Sequence, residues 1–203
     1  MYTNILKRYG IKGGFLKVIF KSLSLFGIEY ERSICWVYRI EENQSLGDEE
    51  ASRCTELDED DFIKYGDKIW FTQQKLENIR KAFSIPGNKP LGIIRNNQLI
   101  CYAWFSSQFW GDDITRKLRP QDAYLWDDYV HPSFRGCGLH AVLINARLNY
   151  LQKLRKMRVF TIVSVYNQAS YKGYKKIGFK KWQTFFRMKF KWSAKEVNSF
   201  RYE

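Results

Sequence analysis

Residues 130–143 read VHPSFRGCGLHAVL, and an Arg and two glycines there separate what looks like strand from what looks like helix. Upstream, AYLWDDYV (123–130) has the β-branched and aromatic character of a strand. Downstream, from Gly138 to Met157, a helix-spaced stripe carries Leu139, Val142, Leu143, Ala146, Tyr150, Leu151, Leu154 and Met157. Glycine between two such elements lets the backbone bend tightly or lets a ligand approach within touching distance. The first turn of a helix has amides without internal acceptors and a partial positive charge, so it can hold an anion. Arg135 adds a fixed cation to the same place. Taken alone, the turn reads equally well as a plain strand-to-helix connection whose glycines serve geometry.

Working outward, VFTIVSVY (159–166) reads as an apolar strand buried on both faces. A short helix follows from Gln168 to about Ile177, and GFKKWQTFFRMKF (178–190) closes the chain as one or two strands. On the other side, LGIIRNNQLICYAWFS (91–106) forms two strands around an Asn96-Asn97 turn. KIWFTQQKLENIRKAF (68–83) fits a helix ended by Pro86-Gly87. The acidic stretch GDEEASRCTELDEDDF (47–62) is a loop entering one or two helices, and ICWVYRI (34–40) is the first strand. The order predicts an α/β domain over 34–203 with a mixed sheet and no internal repeat. Residues 1–33 stand apart as an N-terminal extension. Leu16, Ile19, Phe20, Leu23 and Phe26 fall at helical spacing there, with Lys17, Lys21 and Ser24 opposite. This basic amphipathic helix either packs on its own domain or meets an anionic membrane surface through residues 13–27.

Composition narrows the class. The chain has 203 residues, 45% of them hydrophobic, enough for one core. Its four cysteines, Cys35, Cys54, Cys101 and Cys137, form no CxxC pair, and there are only two histidines. No metal is therefore expected, and reduced thiols are the simpler reading. Lysines interrupt the early apolar residues, so no signal peptide is evident. No apolar run approaches the roughly 20 residues of a membrane span. The expectation is a soluble, cytoplasmic protein, with at most a contact at the inner face of the membrane. Charge is uneven: Glu41–Asp61 holds ten acidic residues against Arg53, whereas Tyr129–Glu203 holds sixteen Lys/Arg against two acids, within a net +13. Such a basic half suits an anionic partner: nucleic acid, a phosphorylated cofactor, an acidic carrier protein or a membrane.

A second motif gives the glycine turn its context. NQASYKGYKKIGF (167–179) begins at the end of the next strand and runs through a short helix into Gly178-Phe179. With Arg135-Gly136-Cys137-Gly138-Leu139-His140 before it, and Val130 and Pro132 ahead of the Arg, the chain resembles the GCN5-related N-acetyltransferase (GNAT) superfamily. That pattern is Arg/Gln-x-x-Gly-x-Gly/Ala, then an Asn about thirty residues on, with a small residue, a Tyr and Gly-Phe at fixed offsets. Here these are Asn167, Ser170, Tyr174 and Gly178-Phe179. His140 departs from it, standing where Gly or Ala is usual.

The resemblance covers roughly residues 34 to 190. It implies a mixed, mostly antiparallel, twisted sheet flanked by helices and splayed between its fourth and fifth strands. It also implies acetyl-CoA as co-substrate and a small amine or amino sugar as acceptor. The amides of Arg135, Gly136, Cys137, Gly138, Leu139 and His140 would hold the pyrophosphate. Backbone near Tyr129 and Val130 would pair with the pantetheine arm and polarise the thioester carbonyl, while Asn167 would contact the pantetheine or order its neighbouring loop, with Ser170 also on the coenzyme side. Tyr174 would give a proton to the departing thiolate, a role a neutral phenol suits. Asp127 and Asp128 are the candidate bases. Alternation puts them on opposite faces unless a bulge intervenes, and either could instead pair with a Lys or Arg. His131 belongs to a structural VHP turn. The acidic 48–61 stretch and Trp104, Phe105, Phe109, Trp110 and Trp126 fall in regions that resemble the family's acceptor pocket. Two other readings compete: an acyl carrier protein as donor, and a non-catalytic basic module for a membrane or nucleic acid, though no nucleic-acid motif accompanies the charge. A homodimer is compatible with all of them.

Overall fold

In chain order the elements are β1 (Ile28–Arg39), β2 (Thr55–Glu56), α1 (Glu59–Tyr65), α2 (Gln73–Phe83), β3 (Asn88–Arg95), β4 (Gln98–Ser106), β5 (Phe109–Trp110), β6 (Asp113–Lys117), β7 (Asp122–Val130), α3 (Leu139–Lys153), β8 (Arg158–Ser164), α4 (Gln168–Ile177), β9 (Lys180–Phe190) and β10 (Glu196–Tyr202). They come from a computed structural model that describes residues 28–41, 49–110, 113–190 and 196–202. The amphipathic stretch 13–27 lies outside them. The chain is α/β, with a mostly antiparallel sheet flanked by helices. It divides into two compact units: Tyr38–Phe160, and Met1–Val37 together with Thr161–Glu203.

The Tyr38–Phe160 unit is built on a hairpin. Asn96 and Asn97, at φ 50° and 56°, turn β3 into β4, the left-handed pair that matches strand twist. Antiparallel pairing then runs β2–β3–β4–β7. β4 is buried from Leu99 to Ser106, because helices cover both of its faces. On one face Leu99, Tyr102 and Trp104 join Leu57, Phe62, Phe71, Ile79 and Ala82 from around α1 and α2. On the other, Ile100, Cys101 and Ala103 meet Val142 and Leu143 of α3. Ile100 and Cys101 share that face because the pairing register shifts between Ile93 and Ile94. Phe62 centres the first cluster, with Tyr102 and Phe71 ring centroids 5.0 and 6.0 Å away. Among the large hydrophobic side chains described in this unit Ile69 is the most exposed, at 79%, beside Trp70 at 46%.

Several boundaries differ from the sequence expectation, each for a local reason. β1 starts at Ile28, inside the segment set apart as an extension. The helix expected from residue 68 begins at Gln73, because Thr72 accepts the Lys75 amide at 3.3 Å and caps it. Asp67 accepts the Ile69 amide at 2.8 Å and holds the preceding turn. The helix expected to reach Met157 stops at Lys153, with Arg155 at φ 55°. Leu154 and Met157 are consequently 46% and 56% exposed and take no part in the buried stripe. α1 begins with a capping box, Asp58 and Asp61 each accepting the other's amide. The β5–β6 hairpin and β10 were not expected.

In the second unit β1 pairs antiparallel with β9, and β9 with β10. Beside β1 runs β8, and just past its end the Val165 amide donates to the Arg32 carbonyl at 3.0 Å. α4 packs on β1 through Tyr171, whose ring lies edge-on to Trp36 at 4.9 Å.

Candidate active site

β7 does not pair evenly with β4. Tyr102 faces Tyr129 and Trp104 faces Trp126, so Asp127 and Asp128 together oppose Ala103 alone. This is a β-bulge, with Asp127 at φ 49°, a left-handed conformation that Asp tolerates better than most side chains. The bulge that the alternation argument left open is therefore present. The two carboxylates still diverge. Asp127 reaches Lys75 of α2 at 2.7 Å and accepts from the Tyr102 hydroxyl at 3.1 Å. Asp128 meets Arg147 of α3 at 2.6 Å and His140 at 2.9 Å.

Their environments differ as much as their directions. Asp127 keeps 33% of its side chain exposed, against 14% for Asp128. Burial opposes the charge on Asp128, but Arg147 and His140 outweigh it and hold the carboxyl well below the usual carboxylate range. Burial and then the Asp127 charge push the Tyr102 hydroxyl well above its ordinary value, so it stays a donor. The neighbouring Tyr129 hydroxyl is pushed up to about 12 by burial and by Asp67, against Arg135. Among the described residues its buried oxygen finds no hydrogen-bond partner, and neither does the indole nitrogen of Trp126.

After β7 the chain makes a short turn over Pro132–Phe134. His131 organises it: Nδ1 accepts the Ser133 amide at 3.3 Å, which leaves Nε2 to donate to Asp67 at 3.2 Å. His131 is buried, in keeping with the structural reading. Arg135 turns back, its Nε donating to the Val130 carbonyl at 3.1 Å and its guanidinium lying 6.0 Å from the Trp70 ring. Gly136 and Gly138 then take φ of 87° and 80°. A Cβ on either would meet nothing within 4 Å. Backbone conformation, not crowding, requires glycine here, and the loop has room for a ligand beside it. Gly138 caps α3 without any side-chain hydrogen bond. The first turn of α3 thus receives no side-chain cap from its N-terminal residue. A glycine-lined, uncapped helix start next to an Arg fits a diphosphate.

The second motif is built differently. Asn167 caps α4 by accepting the Ser170 amide at 3.3 Å. At the far end Gly178, at φ 105°, donates to Lys175 and Phe179 donates to Tyr174, both at 3.1 Å. This is a Schellman closure, and the Tyr174 and Phe179 rings supply its apolar contact at 5.0 Å. The spacing from Asn167 to Phe179 is thus that of a helix capped at both ends. Tyr174 is 2% exposed.

Some expected site residues lie elsewhere. Trp104 and Phe105 are fully buried in the core. Within the acidic stretch Asp58 and Asp61 form the α1 capping box, Glu59 pairs with Arg80 and Glu56 with Lys89. Lys75 and Arg147 were missed. The available signal for Arg147 was a lone cation inside an otherwise apolar helix stripe. Lys75 had none, since its partner is 52 residues away.

Among solved structures the chain is similar to a Drosophila protein (18% identity, TM-score 0.55, 87% of this chain and 57% of that one). It is also similar to a GNAT-family protein from Novosphingobium aromaticivorans (15%, 0.54, 80% and 66%). A third is a glucosamine N-acetyltransferase region in a fungal multi-domain β-N-acetylglucosaminidase (13%, 0.55, 84% and 22%). These identities speak for the fold, and the chain spans less than two thirds of each of these relatives. No curated protein sequence matches it. No helix among the described residues is long and apolar enough to cross a membrane. The family model for the GNAT acetyltransferases matches residues 51–179, from the turn ahead of β2 through the Gly178-Phe179 closure, and by that match the chain belongs to the GNAT acetyltransferase family.

Proposed function

We propose that the protein transfers the acetyl group of acetyl-CoA to the primary amine of a small acceptor, such as an amine or amino sugar. The observation that carries this reading is the junction of β7 and α3: a bulged strand, an Arg, two glycines at positive φ, and a helix start with no side-chain cap. Acetyl-CoA, when bound, supplies an activated thioester. The amides from Arg135 to His140 bind its diphosphate, and the Arg135 guanidinium adds charge. The backbone at Tyr129 and Val130 orients the pantetheine arm and polarises the acyl carbonyl. By the family resemblance, Asn167 and Ser170 order the neighbouring loop, and Tyr174 keeps a proton on its hydroxyl for the sulfur.

Of the two aspartates, Asp127 suits the acceptor. It is the more exposed, it sits beside Tyr102 and Tyr129, and its present cation, Lys75, is one an incoming ammonium can replace. Asp127 then draws the amine in and takes up its proton, directly or through water. Asp128, committed to Arg147 and His140, has no such freedom.

The test is calorimetric titration with acetyl-CoA, with 3′-dephospho-CoA for comparison, followed by thiol release in the presence of amines. Saturable binding of acetyl-CoA and amine-dependent thiol release are expected. Absence of binding would overturn the reading and turn attention to acyl carrier protein as donor.

A further inference from the structure

The departure from the family pattern at His140 is part of a built arrangement. We propose that His140 is a positioning residue for the coenzyme's phosphates, held by Asp128 and through it by Arg147; the inference rests on reading the Arg135–His140 loop as the phosphate site. His140 lies in the first turn of α3, with Nε2 2.9 Å from Asp128 Oδ2. The other oxygen of Asp128 accepts from Arg147 at 2.6 Å. Arg147 is fully buried, two turns further along the same helix face. It also donates to the Trp104 carbonyl of β4 at 2.9 Å and to the Leu143 carbonyl at 3.1 Å.

Three elements therefore converge on one carboxylate: the bulge of β7, the body of α3 and, through Arg147, the backbone of β4. A guanidinium with no exposed surface is tolerable only beside a counter-charge, so Asp128 cannot leave it cheaply. With Asp128 fixed, the imidazole ties the start of α3 to the bulge. The amides of Leu139 and His140 are then already aimed before any anion arrives, and binding need not order them. Glycine or alanine at position 140 could not make this tie. His140 is 25% exposed and at the helix edge, so its removal leaves the core intact.

The experiment compares wild type with His140→Ala and His140→Gln, whose amide can still donate to Asp128. Backbone amide exchange over residues 136–142 is measured without ligand, and acetyl-CoA affinity, KM and kcat are measured beside it. For His140→Ala we expect exchange and KM to rise about tenfold while kcat stays within about twofold, with His140→Gln restoring most of both. Unchanged exchange in His140→Ala overturns the tie even if wild type binds acetyl-CoA normally. Faster exchange with unchanged affinity overturns the positioning role. Wild type that fails to bind acetyl-CoA removes the phosphate reading itself, and this inference with it.

Discussion

Two helix junctions in this protein use the same residue types to opposite ends. At the start of α3, Gly136 and Gly138 adopt positive φ and no side chain caps the helix. At α4, Asn167 caps the start, Gly178 turns the end, and Tyr174 packs on Phe179 across the closure. The second junction satisfies its own backbone. The first receives no side-chain cap, and since orphaned amides are costly to keep unpaired, such an end suits an anion. Glycine content alone cannot separate the two cases; what separates them is whether a side chain caps the helix start.

The sharpest way to break this contrast is Tyr174→Phe. The ring that closes α4 remains, so stability and acetyl-CoA affinity should hold. If the hydroxyl is the acid, turnover falls about 10²–10⁴-fold. Unchanged turnover would make the second junction purely structural. Next in size is Gly138→Val. A β-branched residue at φ 80° costs about 1–3 kcal/mol, and calorimetry should show acetyl-CoA binding weakened about 100-fold or more. Unimpaired binding would mean that the two junctions do not differ as argued. Smallest is Asn167→Ala, which should lower stability by about 0.5–2 kcal/mol, read as a lower Tm, with little change in acetyl-CoA affinity. A loss of affinity without a loss of Tm would show instead that Asn167 touches the coenzyme.

Much of this was legible locally. Asn96-Asn97 announced the hairpin, since few other residues accept two successive positive φ values. The two motifs announced the family, because their glycines answer to backbone conformation within a few residues. Other features were not legible in that way. The α2 start moved to Gln73 because a single hydroxyl, Thr72, won the cap. Trp104 and Phe105 have the character of pocket aromatics, yet helices cover both faces of β4 and both are fully buried.

The sequence by itself therefore determined the main elements, their order and the glycine turn between β7 and α3, all consequences of sterics and hydrogen bonds acting over a few residues. Only the tertiary structure decided what surrounds each aspartate. Asp127 and Asp128 are adjacent in the chain, and their divergence needs β4 to force the bulge, α2 to bring Lys75 to one and α3 to bring Arg147 and His140 to the other. A charge's environment is set by whatever packs against it, and those neighbours come from elements far apart in the chain.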